Sequence, residues 1–324
     1  MAHKVATWGL IWPSMVKLTP DRVSLADEDG RLHQIARGRN GMAARTSPTE
    51  RQKRLGAEVR RMRTSAGVSA EYAAGLLGVD RGKISHIESG VRAISPERLR
   101  TLACNCDCHD ERYVDALAEM ARPGQRGWWD KYRGSLPQGL LDIAELEAHT
   151  VRMRAAYSIH IPGLLQTSDH ALAVFRVVLP RLPEHEIALR LAHRVERQEV
   201  LDGDNAPKLL GMVHEAALRM QFGGPSVARA QLAHLLKKSE QPNVELRVIP
   251  FAAGAFPGAG QTVLYAEGPV PQLDTVQIDN SHGPDFLYAD AQLAKYRAHL
   301  DWMERISLAP QASRDLIRHI GNEL

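Results

Sequence analysis

The chain has 324 residues, of which 44% are hydrophobic and 24% charged, with a formal net charge of +3. That composition excludes wholesale disorder and a collagen-like chain, and three cysteines do not make a disulfide scaffold. The charge is unevenly placed: residues 42–104 hold 12 basic against 6 acidic side chains, whereas residues 105–324 hold 23 against 28. A basic block beside a mildly acidic remainder points to an anion-binding module joined to something else.

No membrane span is expected. The longest uncharged run, Val248 to Ala266, contains Pro250, Gly254, Pro257, Gly258 and Gly260, and reads as strand, turn, strand. The apolar start of the chain is interrupted by Trp8, Trp12 and Pro13, so no signal peptide is expected and the compartment is read as the cytoplasm. Residues 1–45 show no sustained period, carry turn signals at Asp27–Gly30 and Gly38–Gly41, and read as a poorly ordered tail or extension.

Residues 46–122 read as five short helices. Thr49–Ser65 places Leu55, Val59 and Met62 on one face and Arg60, Arg61 and Arg63 near its end. Ser69 caps a helix through Leu77, which Gly78 ends. Asp80 caps a third helix through Ser89, with Ile84 and Ile87 inward. Ser95-Pro96-Glu97 opens a fourth as cap, first-turn proline and early acid, and a fifth runs from about Asp110 to Ala121.

Residues 123–324 read as a mixed α and β domain. Helices are expected at 141–156, 167–179, 184–200, 226–238, 285–306 and 312–320. Strands are expected at 207–213, 244–249, 262–266 and 275–278, giving one small sheet flanked by helices. The fold class is therefore mainly α, a five-helix domain followed by an α+β domain with a small sheet.

Two short helices joined at Gly78-Val79, the second carrying basic and hydroxyl residues, form a helix-turn-helix pattern. The run Leu77-Gly78-Val79-Asp80-Arg81-Gly82-Lys83-Ile84-Ser85-His86-Ile87-Glu88-Ser89-Gly90 resembles the phage-repressor-like (xenobiotic-response-element) helix-turn-helix family. Gly127–Tyr132, Pro162–Thr167, Arg190–Gln198, Val248–Phe251 and Gly254–Gly258 resemble the C-terminal domain that follows it in antitoxin-like regulators of actinobacteria. The resemblance spans about residues 46–322.

In such a motif the second helix enters the major groove. Arg81 and Lys83 are the candidate base readers, since an arginine can donate two hydrogen bonds to guanine. Gly82 lets the backbone approach, and Asp80 and Ser69 lie at the two helix starts. The resemblance assigns Ser85 to a phosphate and puts His86 near the DNA backbone. Arg60 and Arg63 would add phosphate attraction. The family's second helix starts with a hydroxyl residue and then glutamine; here the pair is Ser69-Ala70, and one phosphate anchor is lost.

The remaining signals admit more than one reading. Trp128, Trp129 and Tyr132 could dock the two domains together or line a small-molecule pocket. Leu165 and Gln166 belong to a structural turn or to a partner surface. Arg194 and Arg197 are ion-paired, solvated, or part of an effector site. Cys104, Cys106, Cys108 and His109 could ligate zinc, but one tight loop would have to wrap the ion; ordinary turn residues are preferred, with a redox-sensitive disulfide as the alternative. No cofactor is expected. The chain lacks His-Glu-x-x-His, P-loop and Gly-x-Ser-x-Gly patterns, so an enzyme is not expected either.

The expected function is sequence-specific transcriptional regulation, the protein binding double-stranded DNA as a homodimer on an inverted repeat. A small-molecule effector and a small partner protein encoded nearby are its other expected partners. Two rivals stand beside it: an antitoxin-like protein that sequesters that partner and autoregulates its operon, and an enzyme domain attached to a DNA-binding module.

Overall fold

In a computed structural model the described residues are 25–26, 32–33, 47–124 and 126–324. The expectations for residues 1–45 otherwise lie outside them. Residues 1–46 and 47–324 are two separate compact units. In the first, strand β1 (Leu25–Ala26) pairs antiparallel with β2 (Leu32–His33).

The second unit opens with five helices: α1 (Glu50–Ser65), α2 (Ala70–Leu77), α3 (Arg81–Glu88), α4 (Pro96–Asn105) and α5 (Glu111–Met120). Three of them start at the expected caps, Ser69, Asp80 and Ser95, and the other two are capped in the same way. The side chains of Thr49, Ser69, Asp80, Ser95 and Asp110 each accept a backbone N–H three residues on, replacing one of the hydrogen bonds a helix start lacks. Gly78, at φ 62° and ψ 39°, turns the chain between α2 and α3, a left-handed conformation that favours glycine.

Leu55, Val59, Leu77, Ile84, Leu99 and Leu117 fill the core of these helices. Two residues from far down the chain, Val270 and Leu273, are buried in the same core. The turn that carries them also holds α1. The Arg54 guanidinium donates to the Asp274 carbonyl at 3.3 Å and to the Gln272 carbonyl.

Downstream, α6 (Gln138–Ala148) leads into β3 (Arg152–Tyr157). Helices α7 (Ser168–Arg176) and α8 (Glu184–Arg197) cross over to β4 (Lys208–His214). Helices α9 (Glu215–Arg219) and α10 (Pro225–Lys238) then cross over to β5 (Val244–Ile249). Strands β6 (Val263–Glu267), β7 (Thr275–Asn280) and β8 (Gly283–Leu287) follow, and α11 (Asp290–Ile306) and α12 (Pro310–Glu323) close the chain.

The six strands form one sheet in the order β5-β4-β3-β6-β7-β8. The first three are parallel, as helical crossovers require, and β6, β7 and β8 are antiparallel. Alternate residues separate the faces: Leu209 and Val213 of β4 pack with Leu235 of α10 and Ile317 of α12, while Leu210 and Met212 pack with Leu300 and Met303 of α11.

Two expected helices are corrected. Residues 152–156, expected to continue the helix from 141, form the centre of the sheet, with Met153 paired to Leu209 on one side and Ala266 on the other. Burial on both faces removes the alternation that marks a strand. The helix stops where the Thr150 hydroxyl donates to the Leu146 carbonyl at 2.7 Å. Residues 285–287, expected as the start of a helix, are edge strand β8, paired with Ile278, Gln277 and Val276. The sheet is thus larger than the four strands expected.

Candidate nucleic-acid interface

The candidate surface is the exposed side of α3. Ile84 and Ile87 point into the core at 2% and 3% exposure, leaving Arg81, Gly82, Ser85 and His86 exposed. Helix α3 lies unusually close to α1. A Cβ on Gly56 would sit 2.6 Å from the carbonyl oxygens of Ile87 and Glu88, so only glycine permits this crossing. Gly82 is different: a Cβ there would meet only the Asp80 carboxylate, at 3.4 Å. Packing does not demand its lack of a side chain.

Asp80 caps α3 through the Lys83 N–H at 2.9 Å, and its second oxygen lies 2.8 Å from the Lys83 ammonium. These contacts hold the Asp80 carboxyl below the usual carboxylate range. Asp80 is therefore a cap and a parking place for Lys83. An exposed pair of this kind is weak, and a phosphate or guanine competes with it readily. Among the described residues Arg81 has no side-chain partner. Ser69 caps α2, accepting from the Tyr72 N–H at 3.0 Å, and its O–H is left to donate.

The arginines of α1 divide. Arg60 is exposed and has no side-chain partner among the described residues. Arg63 is corrected: its guanidinium bonds Glu88 at 2.5 and 3.2 Å and the Val68 carbonyl at 2.7 Å, with only 12% of the side chain exposed. It ties α1 to α3 and cannot also reach a phosphate. Arg61 is likewise spent, bonding Glu58 at 2.7 Å and the Tyr113 hydroxyl at 3.3 Å. Sequence reasoning missed Arg92. It is exposed, its N–H donates to the His86 carbonyl, and it stands beside the open face of α3. Its place just after Ser89-Gly90 was the available signal.

Of the readings open for Trp128, Trp129, Tyr132, Leu165, Gln166, Arg194 and Arg197, the structural one fits the burial of most of them better than an effector or partner surface. Trp129 and Tyr132 are 6% and 7% exposed and pack with Leu136, Leu141 and Ala144; Trp128 borders the cluster. The Tyr132 hydroxyl donates to Glu196 at 2.9 Å. The cluster joins the 128–136 segment to α6 and α8. Leu165 is fully buried. Gln166 donates to the Ile161 carbonyl and accepts from Arg194 at 2.6 Å. Arg197 makes a buried two-point ion pair with Glu147, at 2.6 and 2.8 Å.

Burial and the cations of Arg197 and Arg194 push His193, tilted against Trp128 and edge-on to Tyr132, down to about 3. It is neutral in the folded protein. Cys104 is exposed, Cys106 buried and Cys108 between; all three are free thiols. Among the described residues no group of three or more His, Cys, Asp or Glu side chains is placed to hold a metal ion.

Comparison with known families fits this division. Residues 54–116 match a helix-turn-helix domain, and residues 140–319 match a domain of unknown function, DUF5753. The chain belongs to the DUF5753 family. Within it, the helix-turn-helix match supports a DNA-binding regulator. No curated protein and no solved structure matches the chain. Among the described residues no helix is long and apolar enough to cross a membrane.

Proposed function

We propose that this protein is a sequence-specific transcriptional regulator of the phage-repressor-like type, working in the cytoplasm as a homodimer on an inverted repeat. The observation that carries the reading is α3: a capped helix on a helix-turn-helix core, with Arg81 exposed and uncommitted at its N-terminal end. Arg81 and Lys83 read base edges, while Arg60, Ser69, Ser85, His86 and Arg92 meet the DNA backbone. Two half-sites multiply the discrimination of one. The DUF5753 region serves as the regulatory half, and the reading assigns the chain no catalytic chemistry.

The test is selection of genomic fragments by the purified protein at about 150 mM salt, repeated with Arg81→Ala plus Lys83→Ala. A palindromic site that the double variant loses supports the reading. Weak, salt-sensitive retention of every fragment, unchanged in the double variant, refutes it.

A further inference from the structure

A cavity of about 220 Å³ lies where the five-helix bundle meets the sheet. It has room for about seven waters, the bulk of a one-ring organic molecule. Three helices and three strands line it. Arg51 and Arg54 of α1, Ala116 and Met120 of α5, and Glu145 and His149 of α6 and its end stand on the helical side. Ala266 of β6, Leu273, Phe286 of β8 and Tyr288 stand on the sheet side. The walls are mostly apolar with a few converging charges, the usual character of a small-molecule site.

The charges on the wall can be followed one by one. Lys53 pairs with Glu50, Arg122 with Glu119, and Arg54 with Glu58. Arg51 acts on Glu145 and Glu119, and Asp142 has only Lys53, which Glu50 already holds, so the wall keeps one negative charge in surplus. Asp142 accepts from the Glu50 N–H at 3.2 Å and from Gln138 at 2.9 Å, two neutral donors, and shares the Lys53 cation with Glu50. Burial raises both carboxyls above their ordinary range, as expected where surplus charge is held out of water. Burial and Arg51 together push the neighbouring His149 down to about 4. Its ring is therefore neutral, and among the described residues it has no hydrogen-bond partner.

We propose that this seam cavity is an effector site for a small organic monocation, an amine on a single ring or short apolar body, whose occupancy alters DNA binding. The ammonium meets the Asp142 and Glu145 carboxylates, and the apolar body lies against Leu273 and Phe286. The route to DNA is short. Helix α1 lines the cavity at its first turns, spans about 24 Å, and is locked to α3 by Gly56 and by the Arg63–Glu88 pair. The inference rests on the regulator reading for its consequence but not for the binding itself.

The experiment is calorimetric titration of the full chain with 2-phenylethylamine, 2-phenylethanol and phenylacetate. It is repeated on Ala116→Phe, which fills the cavity from α5, and on Glu145→Gln, which removes the surplus charge. Circular dichroism confirms that each variant is folded. We expect one amine per chain, bound at least about tenfold tighter than the alcohol or the acid, with about tenfold loss in either variant. Equal binding of all three probes, no binding of the amine at about 10 mM, or full binding by folded Ala116→Phe would overturn the site.

Fragment selection on the same preparations separates the two ideas. Selection without amine binding removes only this inference. Amine binding without selection removes the regulator reading and leaves the site. Amine binding that leaves the affinity for a selected fragment unchanged overturns the proposed link between them.

Discussion

Arg60 and Arg63 stand three residues apart on one basic helix, and the structure gives them opposite fates. Replacing Arg63 with alanine removes two bonds to Glu88 and one to the Val68 carbonyl. It also strands a Glu88 side chain that is only 10% exposed. A fully buried pair broken on one side costs about 3–5 kcal/mol; with roughly a tenth of each side chain still wetted, about 2–3 kcal/mol is the expected loss. For a unit of this size that lowers Tm by about 5–10 °C. Arg60→Ala, in contrast, should leave Tm within about 1 °C. It should weaken DNA binding a few-fold and reduce the slope of log affinity against log salt by about one. Differential scanning calorimetry and salt-dependent fluorescence anisotropy on the two variants provide the comparison. An Arg63→Ala protein that melts with wild type, and loses DNA affinity as Arg60→Ala does, would refute the assignment.

Other outcomes follow from the same geometry. Gly56→Ala should destabilise by about 1–2 kcal/mol in urea melts, because the backbone clash at 2.6 Å outweighs the roughly 1 kcal/mol that alanine gains as a helix former. Arg197→Ala, which leaves Glu147 buried without its partner, should cost about 3–5 kcal/mol by the same assay. His193 is neutral when folded and titrates near 6.5 when unfolded, so the unfolded chain binds the extra proton between those values, and stability falls as pH drops below about 6.5. At pH 5 this one residue withdraws about 2 kcal/mol, and His193→Phe should lessen the acid sensitivity of unfolding by that amount. Burial raises the Cys106 thiol, so timed alkylation read by mass spectrometry should label Cys104 well before Cys106.

Much of this fold could be read from short-range chemistry. Ser69, Asp80 and Ser95 cap helices because a side-chain oxygen satisfies an N–H three residues on, a relation contained within four letters of sequence. The α3 surface is visible for a similar reason, since Ile84 and Ile87 fix which side faces inward. Strand β3 was hidden. Met153, Ala155 and Ala156 are comfortable in helices, and only flanking by β4 and β6 makes them a strand. Arg63 misled for a comparable reason: its partner lies 25 residues away, on a helix whose distance depends on the missing side chain of Gly56. The cavity was beyond reach, because its walls come from segments between residues 50 and 288.

The turn between β6 and β7 places Val270 and Leu273 inside the helical core and Arg54 beneath its own carbonyls. The DNA-reading half therefore borrows part of its interior from the other half. A fragment ending near residue 122 would expose the apolar floor those two side chains cover. Such heads and tails cannot be exchanged like cartridges among relatives. A chimera would have to bring its own version of this peg, and sequence drift at 270–274 should be answered by drift on α1.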